Sequence, residues 1–113
     1  HTVEESLTQK FRFIREEKSF FMGAFRSDGQ NSVKEHDFAL ILDFYQELIV
    51  KKTGREPEPD IRFLLEMYCQ GSVYITAKWI LGGMEEAPEH MARKLVVAMP
   101  AKLEQVFENM GLM

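Results

Sequence analysis

The chain contains 113 residues, 45% of them hydrophobic and 28% charged, with a formal net charge of −4. This length and composition predict one globular domain spanning residues 1–113, and they argue against intrinsic disorder. The acidic balance argues against direct binding to nucleic acid, which normally requires a basic face.

The first half of the sequence predicts three helices. The first has an apolar face at three- and four-residue spacing, formed by Val3, Leu7, Phe11 and Ile14. Thr2 or Ser6 can cap its start, and a break near Ser19 separates it from a short, phenylalanine-rich second helix. The polar run at 27–32 predicts a loop, which is followed by a long third helix over 33–53.

The stretch from Pro59 to Gly83 predicts a fourth helix, whose second half is apolar nearly all round. Residues 73–76 have strand-like propensity, but apolar residues continue through them at helical spacing, which favours a helix. A helix that is apolar on every side must be covered on every side. Since a chain this short can cover one side with its own helices, we expect the other side to meet a second chain. Gly71 lacks a side chain and would let another backbone approach closely.

A fifth helix is predicted from Pro88 to Asn109. Pro100 lies inside it, and because proline has no N–H we expect a kink there. Its apolar residues alternate four and three apart, which is typical of a seam against another helix. The residues of this seam are Ala92, Val96, Met99, Leu103, Val106 and Met110. Since the sequence contains no convincing strand, the predicted fold class is all-α, a bundle of five helices.

The residues that could carry chemistry do not form a catalytic or metal-binding pattern. A di-iron helical bundle needs Glu-x-x-His pairs, but Val33 stands three residues before His36, and Ala87 stands three before His90. No glycine-rich phosphate loop and no strand-borne nucleophile is present. We therefore predict that the protein is not an enzyme and uses no metal or cofactor. A cofactor-bearing or metal-dependent helical enzyme is an alternative for which the sequence lacks ligands at usable spacing.

Three further features bear on where the protein acts. The single cysteine, Cys69, excludes a disulfide within the chain and suits a reducing cytoplasm. No apolar run approaches the roughly 20 residues that a membrane-spanning helix needs. The sequence starts at His1 rather than at an initiator methionine, so we expect that a segment is missing upstream. The single cysteine and the lack of a long apolar run predict a cytoplasmic protein that does not enter a membrane.

Aromatic residues are abundant, with nine phenylalanines, three tyrosines and one tryptophan. They can simply fill the core of a small helical domain. They can also line an internal apolar cavity in which the tyrosines supply polar groups. Both interpretations stay open at this point. The residues that we expect to line such a ligand pocket are Phe21, Phe25, Phe44, Tyr45, Tyr68 and Cys69.

The residue spacing in the fourth helix resembles that of a known family. The pattern is Phe63-x4-Tyr68-x2-Gly71-x3-Ile75-x3-Trp79-x3-Gly83, followed by acidic residues and Pro88 before the last helix. It resembles the C-terminal domain of TetR/AcrR-family transcriptional regulators, and most of all the branch that includes the dihydroxyacetone-kinase operon activator. The resemblance extends over essentially the whole chain.

The resemblance implies an effector-binding and homodimerisation domain, whose last two long helices form a four-helix bundle with those of a second subunit. A small-molecule effector of unknown class would bind among the first three helices and the inner face of the fourth. Binding would change the separation of two N-terminal helix-turn-helix domains, which this sequence lacks, so that DNA is contacted only through them. The implied dimer interface consists of Gly71, Tyr74, Ile75, Lys78, Trp79, Ala92, Val96, Met99, Leu103 and Val106.

A freestanding helical adaptor is the alternative from a different class of function. Such a protein would offer an apolar groove between its last two helices to the helices of a partner. The two hypotheses predict different oligomeric states, because the regulator domain would be a homodimer and the adaptor a monomer.

Overall fold

The computed structural model describes residues 1–29 and 31–113, and this part of the chain contains six α-helices and no strand. The helices are α1 (Val3–Glu16), α2 (Lys18–Arg26), α3 (Ser32–Thr53), α4 (Pro59–Leu81), α5 (Pro88–Val97) and α6 (Ala101–Asn109). The prediction of an all-α fold is therefore confirmed. None of these helices combines the length and the apolar character that crossing a membrane requires.

α1 begins where the sequence predicts, whereas the break after α1 lies slightly before its predicted position. Thr2 forms a capping box with Glu5. The Thr2 hydroxyl accepts a hydrogen bond from the Glu5 N–H (3.2 Å), and the Glu5 carboxylate accepts one from the Thr2 N–H (2.9 Å). The chain leaves helical geometry at Glu17, which lies ahead of the expected break near Ser19. Ser19 is inside α2.

A buried carboxylate holds the start of α3 in place. Asp28 accepts hydrogen bonds from the N–H groups of Val33 (2.9 Å) and Lys34 (3.1 Å), two donors that find no partner inside the helix itself. At the other end, Gly54 adopts a φ of 74° and its N–H donates to the Val50 carbonyl (2.8 Å). This conformation is typical of a glycine that ends a helix. The bounds of α3 agree with the prediction to within one residue.

The prediction of one last helix over 88–109 is wrong, because the chain leaves helical geometry at Pro100. Pro100 has a ψ of 141° and no N–H, and the Val96 carbonyl accepts instead from the Met99 N–H (3.1 Å). Helical geometry is also disfavoured for the residue before a proline. Two short helices, α5 and α6, therefore replace the expected kinked helix. The described part of the chain has six helices where five were predicted.

α4 is the helix on which most of the others pack. It contacts α2, α3 and α6, while α1 lies along α5. The first half of α4 shares an apolar cluster with α3 and α6 that includes Tyr45, Leu65 and Phe107. The second half shares another cluster with α1, α2 and α5 that includes Phe11 and Ile80. The core is thus built along both halves of one long helix, which leaves the opposite side of that helix uncovered.

Candidate ligand pocket and dimer surface

A cavity that we name the α2 cavity lies between α1, α2 and α3, with one residue of α4. Its volume is about 360 Å³, within the usual range for a small-molecule site. Its walls are mainly aromatic and aliphatic, with a few charged groups. The lining residues are Lys10, Phe13, Ile14, Phe20, Phe21, Ala24, Phe25, Val33, His36, Asp37, Leu40 and Thr76.

A second cavity, which we name the α3 cavity, lies between α1 and α3 and adjoins the α2 cavity. Its volume is about 380 Å³. Its lining residues are Ser6, Leu7, Gln9, Lys10, Asp37, Leu40, Ile41, Phe44 and Tyr45. Three residues, Lys10, Asp37 and Leu40, line both cavities, so the two spaces share one wall.

Four of the six residues expected in a ligand pocket line these cavities. Phe21 and Phe25 belong to the wall of the α2 cavity. Phe44 and Tyr45 belong to the wall of the α3 cavity, where their ring centroids are 5.5 Å apart. Aromatic side chains thus form apolar walls in both spaces.

The other two expected residues, Tyr68 and Cys69, lie on α4 in the apolar cluster that α4 shares with α3 and α6. The Tyr68 ring is 6.2 Å from that of Tyr45, and its hydroxyl donates a hydrogen bond to the backbone carbonyl of Leu95. Cys69 is fully buried, and burial raises the pKa of its thiol to about 12. Neither side chain belongs to the wall of the α2 or the α3 cavity.

A charged pair stands in the wall that the two cavities share. Lys10 Nζ lies 3.5 Å from Asp37 Oδ1, and the two side chains are only 28% and 21% exposed. Burial lowers the pKa of Lys10, although the neighbouring Asp37 carboxylate opposes this change. The second oxygen, Asp37 Oδ2, is buried and has no hydrogen-bond partner within the described part of the chain.

Sequence reasoning missed this pair, although the pattern contained a signal for it. Lys10 stands three residues after Leu7 and four before Ile14, so it interrupts the apolar face of α1. Asp37 likewise stands four residues before Ile41 on the inner face of α3. Charged residues are rarely buried unless they are paired. Two charges of opposite sign on two apolar faces therefore indicate a pair in the interior.

One side of α4 is apolar and faces solvent along the whole helix. We name it the α4 outer face, and its residues are Phe63, Met67, Gly71, Tyr74, Ile75, Lys78 and Leu81. Phe63, Met67 and Tyr74 are each more than 60% exposed. A continuous row of large exposed apolar side chains marks an interaction surface. Beside it, a groove of about 320 Å³ extends the apolar surface to Ala98 and Pro100, at the junction of α5 and α6.

The residues expected at the dimer interface occupy different places in the structure. Those on the α4 outer face are Gly71, Tyr74, Ile75 and Lys78. Those buried inside the protomer are Trp79, Ala92, Met99 and Leu103. The remaining two, Val96 and Val106, are half-buried. The seam of the last predicted helix faces inward because α5 packs on α1 and α6 packs on α4.

A larger concavity on the protein differs from these cavities in the polarity of its lining residues. It measures about 940 Å³ and lies between the start of α1 and the last two helices, and most of its lining residues are polar. Two arginines in its wall are already paired: Arg12 with Glu89 (2.5 Å) and Arg93 with Glu4 (3.1 Å). The predominance of polar side chains distinguishes it from the usual small-molecule site, whose wall is mainly apolar and aromatic. Within residues 1–29 and 31–113, no cluster of three His, Cys, Asp or Glu residues is arranged to hold a metal ion.

Comparison with known families agrees with the resemblance seen in the sequence. Residues 1–100 match a TetR C-terminal family model, described as "Transcriptional regulator C-terminal region". Searches of curated proteins and of solved structures returned no significant match. Because the family model spans well over half of the sequence, this chain belongs to the TetR family of transcriptional regulators, as a C-terminal region of that family.

Proposed function

We propose that residues 1–113 form the effector-sensing and homodimerisation domain of a cytoplasmic TetR-like transcriptional regulator. In this proposal the α2 and α3 cavities bind a small-molecule effector, and the α4 outer face binds the same face of a second protomer. A DNA-binding domain outside this chain contacts the operator, and effector binding alters that contact. The observation that carries the proposal is the continuous row of exposed apolar residues on the α4 outer face.

A second copy of the chain fits the α4 outer face well. In a two-fold symmetric dimer the same surface serves both protomers, so an apolar stripe is complementary to itself. Gly71 lies near the middle of α4, where two crossing helices would approach most closely. A Cβ at this position would meet no other atom within 4 Å in the protomer, so the open space at Gly71 is available to a partner. The interface that we propose omits the four residues that are buried inside the protomer.

α4 also offers a physical connection between effector and dimer. Thr76 forms part of the wall of the α2 cavity, and its hydroxyl donates to the Ser72 carbonyl (2.7 Å) inside the same helix. Tyr74 and Ile75, within two residues of Thr76, lie on the α4 outer face. A helix moves as a unit, so a ligand that displaces the inner side of α4 also displaces its outer face. An effector that binds one arrangement of the dimer more tightly would then shift the population toward it.

Light scattering on a sizing column, over a range of protein concentrations, tests this proposal. We expect a dimer whose dissociation constant rises at least about 100-fold on Met67→Glu, because the new carboxylate would be buried without a partner. Ala39→Glu is the matched control, since it adds the same charge at an exposed site on α3 and should leave the dimer unchanged. A monomer at the highest concentrations, or an equal effect of both substitutions, would contradict the proposal.

A helical adaptor is the second candidate, and the groove between Met67, Ile75 and Ala98 is the observation that favours it. A groove of this kind can accept the apolar face of a partner helix. In that case the protein remains a monomer throughout the same concentration range. Met67→Glu would then leave the molar mass unchanged.

A further inference from the structure

The Lys10–Asp37 pair has an incomplete set of hydrogen bonds. Asp37 Oδ2 is buried and has no partner in the described residues. Lys10 Nζ approaches Asp37 Oδ1 at 3.5 Å, which is the outer limit of a hydrogen bond. Burying a charged oxygen without a hydrogen bond is unfavourable, and such groups usually have a partner or a functional reason to lack one. The pair is therefore a place where a bound molecule would complete the bonding.

The pair lies in the wall of both cavities. Both residues line the α2 cavity and the α3 cavity, so a molecule in either space lies beside both charges. The two charges are equal in size and opposite in sign, so the pair has no net charge. Another ionisable group in the α2 cavity, His36, is exposed to solvent on α3. The less exposed charged groups in the wall are thus one acceptor, Asp37, and one donor, Lys10, and together they carry no net charge.

The bonding capacity of the pair restricts the group that fits it. A carboxylate only accepts hydrogen bonds and an ammonium group only donates them. A hydroxyl does both, so it can donate to the Asp37 carboxylate and accept from Lys10 Nζ. A ligand carboxylate would approach Asp37 with the same charge, and a ligand ammonium group would approach Lys10 with the same charge. A neutral hydroxyl avoids both repulsions.

The other walls of the α2 cavity favour a flat apolar body. Phe21 packs edge-to-face with Phe13 (5.9 Å between centroids) and with Phe20 (5.2 Å). Phe13 and Phe20 are nevertheless 56% and 69% exposed, so their ring surfaces are available for further contacts. Aromatic rings pack well against such edges and faces. Leu40 adds an exposed aliphatic side chain to the wall.

We propose that the ligand of these cavities is a neutral aromatic alcohol or phenol, whose hydroxyl group bridges Asp37 and Lys10. The inference rests on the proposed effector-sensing function and assigns the chemical class of the effector. The apolar ring would lie among the phenylalanines of the α2 cavity.

Four two-ring probes that differ in one substituent test this assignment. They are 2-naphthol, naphthalene, 2-naphthoate and 2-naphthylmethylamine, each titrated at pH 7 into ¹⁵N-labelled protein and followed by chemical-shift changes. The phenol is neutral at this pH, since phenolic groups ionise near pH 10. We expect 2-naphthol to bind about tenfold more tightly than naphthalene and more tightly than either charged probe. The largest shifts are expected at the amides around Lys10 and Asp37.

Two variants identify the polar contact. Lys10→Met should reduce the preference for 2-naphthol over naphthalene, because the hydroxyl keeps only its hydrogen bond to Asp37, whereas Lys51→Met, at an exposed position near the end of α3, should leave the preference unchanged. The double variant Lys10→Met/Asp37→Leu removes both charges at once. It provides a folded comparison if the single variant is unstable, because it leaves no buried charge without a partner. It should bind naphthalene at least as well as the wild type does.

The outcomes separate this inference from the function on which it rests. Equal affinity for 2-naphthol and naphthalene, or strongest binding of a charged probe, would overturn the assigned ligand class while leaving a binding pocket in place. Retention of the 2-naphthol preference in the double variant would overturn the bridging role of the pair. Binding of none of the four probes would also overturn the assignment, and the light-scattering experiment would still report on the dimer.

Discussion

The hydroxyl of Tyr68 on α4 donates a hydrogen bond to the backbone carbonyl of Leu95 in the last turn of α5. In a continuing helix this carbonyl would accept from the Met99 N–H, but Met99 donates to Val96 instead (3.1 Å). Pro100 is the reason, because it ends the helix and supplies no N–H. Tyr68 thus satisfies a buried acceptor that the break between α5 and α6 leaves free.

Tyr68→Phe should destabilise the protein by about 1–3 kcal/mol, because the Leu95 carbonyl would be buried without a partner. Urea unfolding at a fixed protein concentration measures this loss. Tyr45→Phe is a matched control, since Tyr45 is also buried but its hydroxyl makes no hydrogen bond within the described residues. Equal stability losses in the two variants would show that the Leu95 contact has no special role.

Trp79→Ala should lower the free energy of unfolding by about 3–5 kcal/mol. Trp79 is buried, its ring meets Phe11 edge-to-face at 5.2 Å, and its indole N–H donates to the Glu86 carbonyl (2.9 Å). The substitution removes all of these contacts from the interior of the protomer. The same urea measurement should therefore show a large change, in contrast to Tyr74→Ala on the α4 outer face. If Trp79→Ala left stability intact and only weakened the dimer, the buried position of Trp79 would be contradicted.

The contribution of Asp28 should depend on pH. Burial alone would raise the pKa of Asp28, but the hydrogen bonds from the Val33 and Lys34 N–H groups reverse this, and the pKa lies below its ordinary value of 3.8. A carboxylate with a lowered pKa stabilises the fold above pH 3.8, and this contribution is lost as the pH falls through the lowered value. The stability difference between wild type and Asp28→Ala should thus be full at pH 7 and shrink below about pH 4.

Urea unfolding curves between pH 7 and pH 3 measure this dependence. Asp43→Ala is the control, because it removes an exposed carboxylate from α3. A difference between wild type and Asp28→Ala that did not change with pH would show that the charge of Asp28 does not take part in holding the start of α3.

Gly71→Ala should have opposite effects on the protomer and on the proposed dimer. In a monomeric Met67→Glu background it should stabilise the fold by about 1 kcal/mol, because alanine favours a helix over glycine and the new Cβ meets no atom within 4 Å. In the dimer the same Cβ would lie between two closely packed helices, and the dissociation constant should rise about tenfold. Gly23→Ala in α2, also with open space around the Cβ, should stabilise the fold and leave the dimer unchanged.

Local residue patterns were sufficient to predict the first four helices of this protein. Capping at Thr2, termination at Gly54 and initiation at Pro59 depend on neighbouring residues only, and the structure has helix ends at each. The sequence predicted a kink at Pro100, but in the structure the helix ends there. A single proline can kink a helix or end it, and the outcome depends on whether packing on either side holds the two halves in line. Here α5 packs on α1 and α6 packs on α4, so the two halves separate.

Sequence alone determined the all-α fold, the family, and the presence of more apolar surface than the chain can cover. Only the tertiary structure decided which side of each apolar helix faces inward. The seam containing Met99 and Leu103 would have suited a partner chain equally well, yet it is buried within the protomer. The Lys10–Asp37 pair joins residues 27 positions apart. The physical reason is that helical periodicity records which residues share a face, whereas the element that covers that face is decided by packing between distant parts of the chain.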